Sequence, residues 1–218
     1  MMTRAEVCQR IETVGIVPVI RAPSAELALQ ACEAILAGGI SVFEITMTIP
    51  DAPAVIRALR TRLGERALIG AGTVLDAVSA RACIEAGAEF IVSPGFDPAT
   101  IATAREAGVA AMPGALTPTE VIAAWKAGAD VVKIFPCSAM GGASYLRALK
   151  GPLPQVKLMP TGGVNINTAK DFLAAGAVAL GVGSELVDIA AVKEGRAHVL
   201  TERASEFVAA VAAARLSR

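Results

Sequence analysis

One phrase recurs along the chain: a helical stretch ends in a glycine, and an apolar, strand-like run follows at once. It reads LAGGISVFEIT, EAGAEFIVSP, EAGVAAMP, KAGADVVKIFP and AAGAVALGVG. Glycine just past a helix supplies the left-handed cap that residues bearing a β-carbon resist. Gly39, Gly64, Gly87, Gly108 and Gly128 recur at intervals of roughly 20 to 25 residues, with Gly176 about two intervals further on. Such an interval holds one helix, one strand and two connections, so each phrase reads as a β/α unit.

Eight strands are predicted: 16–20, 42–46, 68–72, 90–93, 110–112, 131–135, 156–160 and 178–182. Amphipathic helices fall between them, with Ser24, Asp51, Asp76, Asp97 and Thr117 as N-caps. Thr117-Pro118-Thr119-Glu120 has the form of a capping box with proline at the first helical position. Parallel strands joined by helices eight times over, with no long polar linker, predict an α/β chain folded as one (β/α)8 TIM barrel spanning residues 1–218. An additional N-terminal helix, about residues 3–13, covers its bottom, and a C-terminal helix follows the last strand. A doubly wound open sheet is the competing arrangement, which strand counting leaves open.

Hydrophobic residues make up 54% of the chain and charged residues 18%, so much of it must be buried. The formal net charge is zero, and no basic block carries interleaved aromatics, which argues against a nucleic-acid partner. The N-terminal residues read as an amphipathic helix without an apolar core. Secretion and membrane insertion are therefore not expected, and a cytoplasmic protein is. Cys8, Cys32, Cys83 and Cys137 form no C-x-x-C pair and suit reduced thiols; the first three read as core, while Cys137 could border a site. His198 is the one histidine, so neither a His-rich metal centre nor a Ser-His-Asp machine is expected. Any acid–base chemistry then falls to carboxylates, lysine, tyrosine or water. Trp125 and Tyr145 lie in helical stretches and are given no role.

Lys133 is conspicuous within Val131-Val132-Lys133-Ile134-Phe135-Pro136. Burial disfavours a charged ammonium, and a neutral amine is what a carbonyl needs to form a Schiff base. The plain alternatives are a lysine snorkelling to the rim or one paired with a carboxylate. Side chains alternate along a strand, so Val42, Glu44 and Thr46 share one face while Phe43 and Ile45 share the other. If the apolar pair faces the helices, Glu44 points inward. Val132 and Ile134 turn Lys133 inward by the same argument. A buried ion pair is weak evidence for stability, which leaves a site as the sharper reading.

Glycine segments end the last two strands, as Thr161-Gly162-Gly163 and Gly181-Val182-Gly183-Ser184. Glycine lets backbone N–H groups approach phosphate oxygens, and barrels commonly bind phosphate at these two loops. Gly70-Ala71-Gly72-Thr73 and Ser93-Pro94-Gly95 complete a rim of small residues.

From Val17 to Val187 the motifs PVIR, FEITMT, IGAGTV, FIVSPG, MPGALTPTE, VKIFP, PTGGV and GVGSELV follow in order. Together they resemble the 2-keto-3-deoxy-6-phosphogluconate/4-hydroxy-2-oxoglutarate (KDPG/KHG) aldolase family of class I pyruvate aldolases on (β/α)8 barrels. The resemblance implies Lys133 as the Schiff-base lysine and Glu44 as the proton carrier, acting through a bound water. It implies Thr73 and Thr161 around the pyruvate moiety and Gly162, Gly163, Gly183 and Ser184 around phosphate, while Pro94 stays a substrate-binding candidate from the rim. It further implies a homotrimer and no metal or organic cofactor, the intermediate being covalent on Lys133. A branch of the family carries Leu-Arg-Thr where this chain has Met47-Thr48-Ile49, its arginine helping to bind the substrate carboxylate, and Arg21 is the candidate replacement for that arginine. The galactonate epimer as substrate, a metal-dependent sugar-phosphate enzyme and a non-catalytic sugar-phosphate binder stand as alternatives.

Overall fold

The computed structural model describes residues 2–216. Helix α1 (Arg4–Val14) opens the chain, capped at Thr3 by a capping box with Glu6. Strands β1 (Ile16–Ile20), β2 (Val42–Thr46), β3 (Leu68–Gly72), β4 (Phe90–Val92) and β5 (Ala110–Met112) then alternate with α2 (Ala25–Ala37), α3 (Ala52–Leu63), α4 (Ala77–Glu85) and α5 (Pro98–Glu106). After β6 (Gly114–Ala115) come α6 (Pro118–Lys126), β7 (Val132–Ile134), α7 (Ala143–Lys150), β8 (Leu158–Pro160), α8 (Ala169–Ala174) and β9 (Leu180–Val182). Helices α9 (Ile189–Lys193) and α10 (His198–Leu216) close the chain. Gly39, Gly64, Gly87, Gly108, Gly128 and Gly176 all take positive φ, as the repeated phrase requires.

The strands form an α/β fold with a curled parallel sheet. Six pair in the order β5-β4-β3-β2-β1-β9, and three in the order β6-β7-β8. The first strand lies beside the last, with Ile16 opposite Leu180 and Pro18 opposite Val182. Strand β8 approaches β9 through isolated bridges, Leu158 to Ala177 and Thr161 to Gly181.

The predicted fifth strand is longer than expected and broken. Pro113 has no N–H to donate and splits it into β5, which pairs with β4, and β6, which pairs with β7. The Pro113 carbonyl still accepts from Lys133 N at 2.9 Å, so the break re-aims the ladder toward the lysine strand. The later strands are also shorter at their starts than the apolar runs suggested, with regular pairing beginning at Val132, Leu158 and Leu180.

Alternation sorts the strand side chains into two cores. Phe43, Ile45, Val132 and Ile134 pack in the larger cluster with the helices. Val17, Val42, Leu68, Phe90, Met112, Val131 and Met159 form the inner cluster, sealed from below by Val7, Cys8 and Ile11 of α1. All four cysteines are free and buried. Burial pushes the Cys8, Cys83 and Cys137 thiols up to about 11, so they remain protonated at neutral pH.

Ser24, Asp76, Asp97 and Thr117 cap their helices as predicted, each side chain accepting from the backbone N–H three residues on. Asp51 does not: its own backbone is left-handed, φ 50, and its side chain makes no capping bond. Backbone N–H donors to the Asp76 and Glu120 carboxyls hold them below their ordinary 3.8 and 4.5. Depressed folded-state values contribute stability above the unfolded values, lost as pH falls through the folded ones. Urea midpoints are therefore expected to decline as pH drops below 4.5, and Glu120→Gln to flatten part of that decline. Thr117→Ala should cost about 1 kcal/mol in the same titration at neutral pH.

Candidate active site

Register brings two charges together from opposite sides of the inner face. Glu44 of β2 lies opposite Val19 on one side and Gly70 on the other. Lys133 of β7 lies opposite Gly114 and Met159. Glu44 is 0% exposed and Lys133 4%, and Nζ stands 3.3 Å from Glu44 Oε1. The Phe135 ring, two residues along the same strand line, has its centroid 5.6 Å from Lys133 Nζ.

Two buried side-chain oxygens have no partner among the described residues, Glu44 Oε2 and Thr161 Oγ1. Leaving such an atom unsatisfied costs about 1–3 kcal/mol, so both suit a water molecule or substrate oxygen. Thr161 leans over its bridge partner Gly181, where a β-carbon would stand 2.1 Å from the threonine oxygen. Thr46 is buried nearby and donates to the Ile20 carbonyl at 2.8 Å; its hydroxyl also lies 2.7 Å from that of Thr48.

Beside the pair, a cavity of about 200 Å³ is lined by Arg21, Phe135, Thr161, Gly162, Gly163, Gly183 and Ser184, together with Val19, Val164, Asn165, Gly181 and Glu185. Six of the sequence-predicted site residues thus share one wall. Neither Lys133 nor Glu44 lines it; Phe135, whose ring centroid lies 5.6 Å from Lys133 Nζ, borders both the cavity and the lysine. A β-carbon on Gly183 would stand 3.9 Å from Arg21 Nη1, so the guanidinium overlooks the last glycine segment. Positive φ at Gly162 (91) and Gly163 (74) makes that turn one which L side chains resist.

Thr73 and Pro94 do not line this cavity. Thr73 follows β3 in a left-handed conformation, φ 57, a strain that non-glycine residues carry mainly at functional positions. The main chain of Pro94 presses on Gly114, where a β-carbon would meet the proline carbonyl at 2.2 Å. His198 is exposed at the start of α10, outside the cavity. Phe135, Asn165 and Glu185 are additions that the sequence reading missed. Phe135 was within reach, because its alternation with Lys133 turns it inward.

The family model for KDPG and KHG aldolase matches residues 7–202. The chain belongs to that family. The KHG/KDPG aldolase of Escherichia coli (strain K12) is 36% identical over 201 residues, covering 92% of this chain and 94% of the relative. The 2-dehydro-3-deoxy-phosphogluconate aldolase of Treponema pallidum is 35% identical over 187 residues, covering 86% and 89% respectively. Among solved structures, the KDPG aldolase of Legionella pneumophila, with pyruvate captured as a covalent carbinolamine intermediate, superposes with a TM-score of 0.85. It is 32% identical, with 91% of this chain and 96% of that one covered.

If Glu44 and Lys133 form an ion pair, removing one partner strands a buried charge. Lys133→Met should therefore lower the unfolding free energy by about 3 kcal/mol at neutral pH. Glu44→Gln in the same chain should recover most of that loss, which chemical denaturation of both variants would measure.

Proposed function

We propose that this protein is a class I aldolase that reversibly cleaves 2-keto-3-deoxy-6-phosphogluconate to pyruvate and D-glyceraldehyde 3-phosphate. By the same chemistry it would cleave 4-hydroxy-2-oxoglutarate to pyruvate and glyoxylate. The observation that carries this reading is the buried contact of Lys133 Nζ with Glu44 Oε1 at 3.3 Å, with Phe135 between that amine and a glycine-walled cavity.

The neutral amine of Lys133 attacks the 2-keto carbon, and loss of water leaves an iminium. The iminium accepts the electron pair of the C3–C4 bond once the C4 hydroxyl loses its proton, and the aldehyde departs. The resulting enamine takes a proton at C3, and water then hydrolyses the imine to release pyruvate and the amine. Glu44 is the proton carrier: Oε1 faces the amine, while Oε2 is free to hold a relaying water. Phe135 limits the water around the reacting nitrogen.

Thr161 and Thr73 receive the pyruvate end, with Pro94 on the rim. Gly162, Gly163, Gly183 and Ser184 receive the phosphate, and Arg21 on the same cavity wall pairs with the substrate carboxylate. In this reading the two sheets are the two parts of one (β/α)8 barrel, with α1 as the extra helix at its base, forming a single domain. The active protein is a homotrimer in the cytoplasm and uses no cofactor beyond the covalent intermediate. No helix among the described residues is long and apolar enough to cross a membrane.

A coupled assay of pyruvate release tests the assignment. Lys133→Ala should abolish cleavage, and Glu44→Gln should lower kcat by about 100-fold or more while the chain still folds. Arg21→Ala should raise KM about tenfold for the phosphorylated substrate and for 4-hydroxy-2-oxoglutarate alike, since both carry the carboxylate. Cleavage that survives in Lys133→Ala would remove the lysine from the mechanism.

A further inference from the structure

Gly72 ends β3, paired with Thr46 and diagonal to Glu44 on the inner face. Its backbone gives no reason for glycine, because its φ is not positive and its place in the ladder suits any L residue. What a side chain there would meet is specific. A β-carbon would stand 2.1 Å from Glu44 Oε1, 2.4 Å from Cγ and 2.6 Å from Cδ. All three nearest atoms belong to Glu44, so a methyl group there would first displace that side chain.

Oε1 is the oxygen that faces Lys133 Nζ at 3.3 Å, and Glu44 is wholly buried. The carboxylate therefore cannot yield to a methyl group without changing its distance to the amine. Gly70, two residues earlier on the same face, offers a contrast: a β-carbon there would meet the Phe90 ring at 2.4 Å, which is a packing contact.

The structure assigns to Gly72 the role of a positioning residue, which holds Glu44 Oε1 against Lys133 by leaving the space beside it empty of a side chain. This rests on the reading of Glu44 as the proton carrier. Displacements of about 1 Å in a reacting group can cost on the order of 100-fold in rate. Gly72→Ala is therefore expected to lower kcat by about 100-fold while KM changes less than about threefold.

The second half of the test is a double-mutant cycle on stability, since coupling appears only between residues in contact. Gly72→Ala should lower the urea midpoint clearly when residue 44 is Glu, and little in the Glu44→Ala background, where the obstructing atoms are gone. If Gly72→Ala alone does not fold while Glu44→Ala does, the pair decides: a folded Glu44→Ala/Gly72→Ala protein supports the contact, and an unfolded one overturns it. Wild-type kcat in Gly72→Ala, or equal midpoint losses in both backgrounds, would also overturn it. Trapping of pyruvate by the wild-type protein with borohydride separates the two levels. Absence of an adduct defeats the aldolase reading itself, whereas an adduct with an uncoupled cycle defeats the role of Gly72 alone.

Discussion

The contact between Glu44 and Lys133 is the interaction on which the rest of this site depends. Two ionisable groups taken out of water pay a desolvation cost that their mutual attraction only partly returns, and well-packed hydrophobic residues would often serve stability equally well. Here that cost falls beside an inner cluster of apolar strand residues such as Val17, Val42, Leu68 and Met159. One carboxylate oxygen faces the amine and the other has no partner, so the pair is incompletely satisfied. An arrangement built for stability alone would satisfy both oxygens. A site that must exchange protons with a substrate needs one left available.

Glycine serves two physical ends in this chain. After the helices it permits left-handed backbone, and Gly87 and Gly128 adopt φ values of 102 and 92 there. Within the strands, at Gly72 and Gly181, φ is not positive, and glycine makes room for Glu44 and Thr161 to cross to a neighbouring strand. The first use builds the repeat that places successive apolar runs beside one another in the curled parallel sheet. The second shapes the interior at the ends of those runs, so fold and site draw on the same residue type for unrelated reasons.

Much of this was legible in the sequence because the signals were periodic. Inward orientation of Glu44 and Lys133 followed from alternation, and the two cores confirm the facing of Phe43, Ile45, Val132 and Ile134. The break at Pro113 escaped the reading because the strand pattern resumes one residue later, with a different partner. Asp51 fails as a side-chain cap since its left-handed backbone turns the carboxylate away from the helix N–H groups. Thr73 and Pro94 were read from the rim of small residues after the third and fourth strands, Thr73 also from the family resemblance, and neither lines the cavity. Close approaches such as Gly72 to Glu44 depend on register and rotamer together, which a single sequence does not encode visibly.

Membership of the KDPG and KHG aldolase family and the geometry of the lysine pair point to the same chemistry. The most direct test is incubation with pyruvate and borohydride, followed by mass mapping of the peptides. The account predicts one reduced pyruvyl adduct, on Lys133, and none in Lys133→Ala. An adduct on another lysine, or a folded wild-type protein that forms none, would contradict it.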